Sequence, residues 1–279
     1  MSVYKTIIVH FADEQHAERQ IAVATRLALD HDAHLIGLFL GWPDVLSAPR
    51  GVGRSLVESG RAAIRARSEQ LRTLFDAAGA GLQLKKEWRF IEPHGAPVPD
   101  TIMNQVRSAD LIVTAQGSPD WDASFLMECP EELLLSSGRP VLFVPNAGSI
   151  ADFTRRITVA WSDRREASRA AFDALPLLQR ADSVRVLWVD PEARATGDDQ
   201  DPTRDVLKAL LRHGVKAVGA RTHGGNIGVG TELLGQVAVN GATMLVMGGY
   251  GRMRLSESIF GGATRHVLKY MTVPVLMSH

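Results

Sequence analysis

A chain of 279 residues, 45% hydrophobic and 22% charged, has the composition of a globular protein with apolar material for one large core or two ordinary ones. With 31 basic against 31 acidic residues it offers no electrostatic attraction for nucleic acid or a membrane surface. The lone Cys129 excludes an internal disulfide, and no apolar run resembles a signal peptide or spans a bilayer, so a cytoplasmic protein is expected.

In chain order, Thr6–Val9 reads as a buried strand, 17–29 as a helix by its apolar spacing, and 34–40 as a strand. The Gly/Pro-rich stretch 41–54 reads as a long loop, followed by a helix around 55–78 and a strand at 84–90. A helix at 100–107, a strand at 111–114, a short helix near 131–135 and a strand at 141–144 complete a first set. The second set has strands near 157–161, 184–189, 217–221, 244–247 and 273–277, with helices between. Unbroken apolar runs such as Met244-Leu245-Val246-Met247 suit strands covered on both faces, hence a parallel sheet. The expected fold is α/β: two tandem doubly wound domains, each a five-stranded, mainly parallel sheet with helices on both faces.

The two sets are related by sequence. At an offset of 150, Val9, Asp13, Ala17, Arg19, Ala24 and Leu27 match Val159, Asp163, Ala167, Arg169, Ala174 and Leu177. At an offset of 134, Pro140-Val141-Leu142 matches Pro274-Val275-Leu276, so the first copy carries about 16 extra residues, assigned to the loop 41–54. The boundary falls in the small polar stretch Asn146–Ser149, giving domains 1–147 and 148–279. An apolar final strand left at a sheet edge is an aggregation hazard. Val141–Val144 is therefore expected against Val273–Met277, the copies packing as a pseudo-twofold pair, with a homodimer of the chain also conceivable.

In such sheets ligands bind at the carboxyl ends of the strands, which directs attention to the loop after Met247. It runs Gly248-Gly249-Tyr250-Gly251, then an arm holding Arg252 and Arg254, then Gly261-Gly262-Ala263-Thr264 opening a helix. Glycine lets backbone approach a ligand closely, and free N–H groups at a helix start favour an anion. The chemistry implied is the cradling of phosphate.

The spacing Gly248, two residues, Gly251, nine residues, Gly261 resembles that of nucleotide-binding universal stress proteins, and the resemblance extends along the whole chain as a tandem pair. It implies that Met247, Gly248, Gly251, Gly261, Gly262, Ala263 and Thr264 surround ribose and phosphates, and that Val189 meets adenine through its backbone. It implies ATP as ligand, or ADP or AMP, with Mg2+ entering only through the nucleotide. The family's hydroxyl residue after the third glycine is Gly262 here, and its first-strand Asp aligns with Ser162, with Asp163 one place later. The first copy has Ala12 at that position, and after Thr114 it runs through Asp120 and Asp122 to Glu131 and Glu132 without a glycine pair. Only the C-terminal copy is expected to hold nucleotide. The function implied is a stress-response regulatory protein without efficient turnover. A slow ATPase or a structural tandem protein that binds no nucleotide is the alternative.

Other candidates read as structure. Gly225–Thr231 has phosphate-loop glycines but no lysine after them, and is expected to be a turn into the helix 231–239. His31 and His34 lack a third ligand nearby and read as solvated or capping residues. Ser118, Ser162 and Ser258 have no nucleophile-elbow context. Arg252 and Arg254 read as a solvated arm, and Trp42 and Trp121 sit in polar loops with no ligand to suggest.

Overall fold

A computed structural model of the chain describes residues 3–12, 14–41, 54–92, 98–117, 130–190, 201–250 and 262–279. The chain divides into two compact units, Tyr4–Ala115 and Gln116–His279, the second also taking in Val3.

The Tyr4–Ala115 unit contains β1 (Thr6–Phe11), α1 (Ala17–His31), β2 (His34–Leu40), α2 (Arg54–Ala77), β3 (Lys85–Ile91), α3 (Val98–Val106) and β4 (Leu111–Ala115). Its strands lie in the order β3-β2-β1-β4, and the pairs are parallel. Ile7, Ile8, Val9, Leu35, Leu38, Leu111, Ile112 and Val113 are completely buried, as continuous apolar runs in a helix-covered sheet should be. The edge strand β3 instead carries Lys85, Lys86, Glu87 and Arg89, charges that discourage a further strand from pairing.

Local chemistry sets the helix ends. Past α1, Asp32 takes a left-handed conformation (φ 47°), and its N–H bonds the carbonyls of Ala28 and Leu29. The helix therefore runs two residues beyond the expected Leu29. The last residue, His31, is buried with its ring edge-on to Tyr4, 5.1 Å between centroids, so the reading of it as solvated is corrected. His34 does sit at the surface, 3.4 Å from Glu87. At the end of α2, the Lys86 ammonium donates to the carbonyls of Phe75, Asp76 and Ala78 at 2.8–2.9 Å. These are terminal carbonyls left without intrahelical donors.

The Gln116–His279 unit contains α4 (Pro130–Ser136), β5 (Val141–Val144), β6 (Arg156–Trp161), α5 (Arg165–Asp173), α6 (Leu175–Leu178), β7 (Ser183–Asp190), α7 (Arg204–Arg212), β8 (Ala217–His223), α8 (Val229–Val239), β9 (Met244–Gly248), α9 (Gly262–Tyr270) and β10 (Val275–Ser278). The strand order is β5-β10-β9-β6-β7-β8. The pairs from β10 to β8 are parallel. β5 joins β10 antiparallel, with Val275 opposite Phe143, Leu276 opposite Leu142 and Met277 opposite Val141. The two apolar final strands thus cover each other as expected, and all six of these residues are fully buried. The compact unit begins at Gln116, upstream of the boundary expected near residue 147, and includes β5 through its pairing with β10.

The doubly wound, mostly parallel α/β architecture is the one the sequence implied. Repeat-matched positions share their environment: Ala17 and Ala167, Ala24 and Ala174, Leu27 and Leu177 are all buried. Most of the expected long loop, residues 42–53, lies outside the described residues, as do Trp42, Ser118, Trp121 and Cys129. No described helix is long and apolar enough to cross a membrane.

Candidate functional site

From β6 the chain moves through α5 to β7 and on to β8; it then returns to the other side of β6 as β9 and continues through α9 to β10. The connections leaving β6 and β9 therefore diverge, which makes the carboxyl ends of these two strands the switch point at which such sheets form a ligand crevice. Ser162 and Asp163 follow β6 there, and Gly248 ends β9, one step beyond the Ala160–Met247 pair. On the other side, the β6 ladder stops at Trp161 opposite Trp188, so Val189 is the first residue of β7 past the β6 pairing. The topology thus brings Ser162, Asp163, Val189, Met247 and Gly248 to one end of the sheet. Gly262, Ala263 and Thr264 form the first turn of α9.

The glycines of this loop differ in what their missing side chains face. A Cβ on Gly248 would lie 2.5 Å from the Ala167 nitrogen and 2.6 Å from the Glu166 carbonyl carbon, so this glycine admits the start of α5 against the strand. A Cβ on Gly249 would lie 2.5 Å from Leu134 Cδ2. Among the described residues, a Cβ on Gly262 would meet nothing within 4 Å. The loop start is held in place: Tyr250 has a positive φ of 53°, and its N–H donates to Thr264 Oγ1 at 3.2 Å. Gly249 N–H donates to the Ser278 carbonyl at 2.9 Å, and the His279 ring lies 3.0 Å from the Gly249 carbonyl. Gly251, Arg252, Arg254, Ser258 and Gly261 lie outside the described residues.

Around this end the helices pack closely. A Cβ on Gly230 would lie 3.1 Å from Ala263 Cα, so the first turns of α8 and α9 touch, and Thr231 Oγ1 lies 3.2 Å from His266 Nε2. The Val189 side chain packs with Leu187, Leu233 and Val229. Glu166, in the first turn of α5, is buried, and burial pulls its carboxyl upward. The hydrogen bond from Arg165, its own backbone N–H and the charges of Arg165 and His279 outweigh this and hold it below the usual carboxylate range. The Trp161 indole N–H donates to the Pro202 carbonyl at 3.0 Å, tying the end of β6 to the approach to α7. Nothing in the spacing of these residues announced that bond.

The equivalent crevice in the Tyr4–Ala115 unit, between β1 and β4, is differently furnished. His10 is buried 3.5 Å from Thr114 Oγ1, and the Gln20 amide donates to the His10 carbonyl at 2.8 Å. Burial lowers the His10 pKa to about 4, so the ring is neutral. At the offset of 150 its counterpart is Ala160. Elsewhere, Gly225–Ile227 forms one 3₁₀ turn and Gly228 has φ 82°, so the Gly225–Thr231 segment is the expected turn into a helix. That helix begins at Val229, two residues earlier than its spacing suggested. Among the described residues no group of three or more His, Cys, Asp or Glu is placed to hold a metal ion.

No protein-family model and no curated protein matches the sequence. Among solved structures, a universal stress protein from Archaeoglobus fulgidus superposes with a TM-score of 0.72 at 17% identity, covering 97% of this chain and 94% of that one. A protein of unknown function from Pseudomonas aeruginosa gives a TM-score of 0.58 at 16% identity, covering 98% and 92%. The fold of this chain is the universal stress protein fold.

Proposed function

We propose that the chain is a cytoplasmic stress-response regulator of the universal stress protein family, built of domains 1–147 and 148–279. In this reading the second domain binds ATP or a related adenine nucleotide. The observation that carries it is the β6/β9 switch point: Gly262 opens α9 with no side chain, and among the described residues no atom lies within 4 Å of where one would stand. The N–H groups of a first helical turn have no intrahelical acceptor and are suited to phosphate oxygens. Ser162 and Asp163 lie where ribose hydroxyls would be met, and the backbone of Val189 lies where adenine would be met. Gly251 and Gly261, from the motif, complete the proposed phosphate loop. Met247, Gly248, Ala263 and Thr264 build its walls, Thr264 by holding Tyr250. Mg2+ arrives with the nucleotide.

The first domain is not assigned a nucleotide. At its own crevice the buried His10 and Thr114 occupy the strand ends, and Ala12 offers no carboxylate. Calorimetric titration of the full chain with ATP is therefore expected to give one site per chain, and two equivalent sites would overturn this assignment. Loss of binding in Gly262→Val with the fold retained tests the location.

A further inference from the structure

Gln116 follows β4 and is buried. Its side-chain amide nitrogen donates to the carbonyls of Leu268 at 2.7 Å and Lys269 at 3.0 Å. Its amide oxygen accepts from the Asn146 N–H at 3.0 Å, and its own N–H donates to the Val144 carbonyl at 2.8 Å. The chemistry settles which way the amide points, because two carbonyls need the NH2 and one N–H needs the oxygen. Leu268 and Lys269 are in the last turn of α9, where carbonyls lack intrahelical donors. A residue of the first repeat thus caps the helix whose first turn is the proposed phosphate site. The arrangement is one-sided. In strand register the counterpart of Gln116 is Gly249, whose N–H donates to the Ser278 carbonyl as that of Gln116 does to Val144, but which has no side chain to reach a helix end.

We propose that Gln116 is a positioning residue for nucleotide binding: by pinning the carboxyl end of α9, it sets the angle at which the first turn meets phosphate. This rests on the nucleotide reading given above. It also assigns a task to the first repeat, which lacks a glycine loop of its own. At nine residues α9 is a rod of about 13 Å, so a shift at its carboxyl end is passed to its amino end.

The test measures equilibrium binding of labelled ATP and amide hydrogen exchange on the full chain. Gln116→Glu keeps the size and the contact with Asn146 but sets carboxylate oxygens against the two carbonyls. Gln116→Lys restores donors to both and suits a helix carboxyl end. Gln116→Glu is expected to weaken ATP binding about tenfold or more, as loss of alignment does, with faster exchange in α9. Gln116→Lys is expected to recover most of the affinity. A Glu variant that melts lower but binds ATP with unchanged affinity overturns the positioning role and leaves nucleotide binding standing. An unaltered chain that binds no ATP overturns the nucleotide reading and this inference with it, while faster α9 exchange in the Glu variant still records the cap.

Discussion

Lowering the pH from 7 to 4 is expected to remove about 3 kcal/mol of folding stability through one residue, His10. The ring lies on β1 at the carboxyl end of its sheet, 4% exposed, and burial lowers its pKa from 6.5 to about 4. In the unfolded chain the same imidazole takes a proton as the pH passes below 6.5. Between 6.5 and about 4 the unfolded state therefore binds a proton that the folded state refuses, and stability falls with pH throughout that window. Each pH unit of the window is worth about 1.4 kcal/mol, and the half-protonation of the folded ring near pH 4 trims the total to about 3 kcal/mol. The carboxylates of Glu87, Glu166, Asp182 and Asp201 are all held below their ordinary values, so their contributions are lost at lower pH than that of His10. Chemical denaturation at pH 7, 6, 5 and 4, repeated on His10→Leu, measures the effect. The variant should lose most of the slope between pH 6.5 and 4.5; an unchanged slope would show that some other group carries the proton.

His10 also marks the limit of what the sequence could disclose. The strands were legible because parallel strands covered on both faces must be continuously apolar. Leu111-Ile112-Val113 and Met244-Leu245-Val246-Met247 can hardly be read otherwise. The pairing of β5 with β10 was legible for a related reason, since two apolar terminal strands need cover and the repeat supplies each with a partner. His10 was not legible, because a histidine inside a strand reads the same whether it faces solvent or a buried threonine. Lys86 and Gln116 were missed for a further reason: each caps a helix distant in sequence, α2 ending about ten residues earlier and α9 about 150 residues later. No local pattern encodes such a bond. The glycine loop was legible as a motif but not as a set of environments, because spacing cannot tell a glycine that faces no described atom from one that admits a helix.

Gly248 and Gly262, two glycines of one motif, should therefore fail in opposite ways. Alanine at Gly248 puts a methyl group 2.5 Å from the backbone nitrogen of Ala167 and 2.8 Å from Glu166 Cβ. The obstacle is the backbone of α5, which also packs along β9 and β10, so relief requires moving a helix rather than turning a side chain. Overpacking of this kind costs about 1–3 kcal/mol and occasionally more, and Gly248→Ala should sit at the upper end because rigid backbone faces it. Its defect should appear in thermal or denaturant unfolding whether or not nucleotide is present. Alanine at Gly262, in the first turn of α9, meets no described atom within 4 Å, so stability should be unchanged or rise by up to about 1 kcal/mol from the better helix former. Valine at the same position should also fold, but its branched side chain fills the space through which phosphate would approach the first turn of α9, and ATP binding should be lost. Unfolding curves and ATP titrations on the three variants separate these effects. If Gly262→Val binds ATP with the affinity of the unaltered chain, the phosphates do not lie at this turn; if Gly248→Ala is as stable as the parent, α5 yields where the packing implies it cannot.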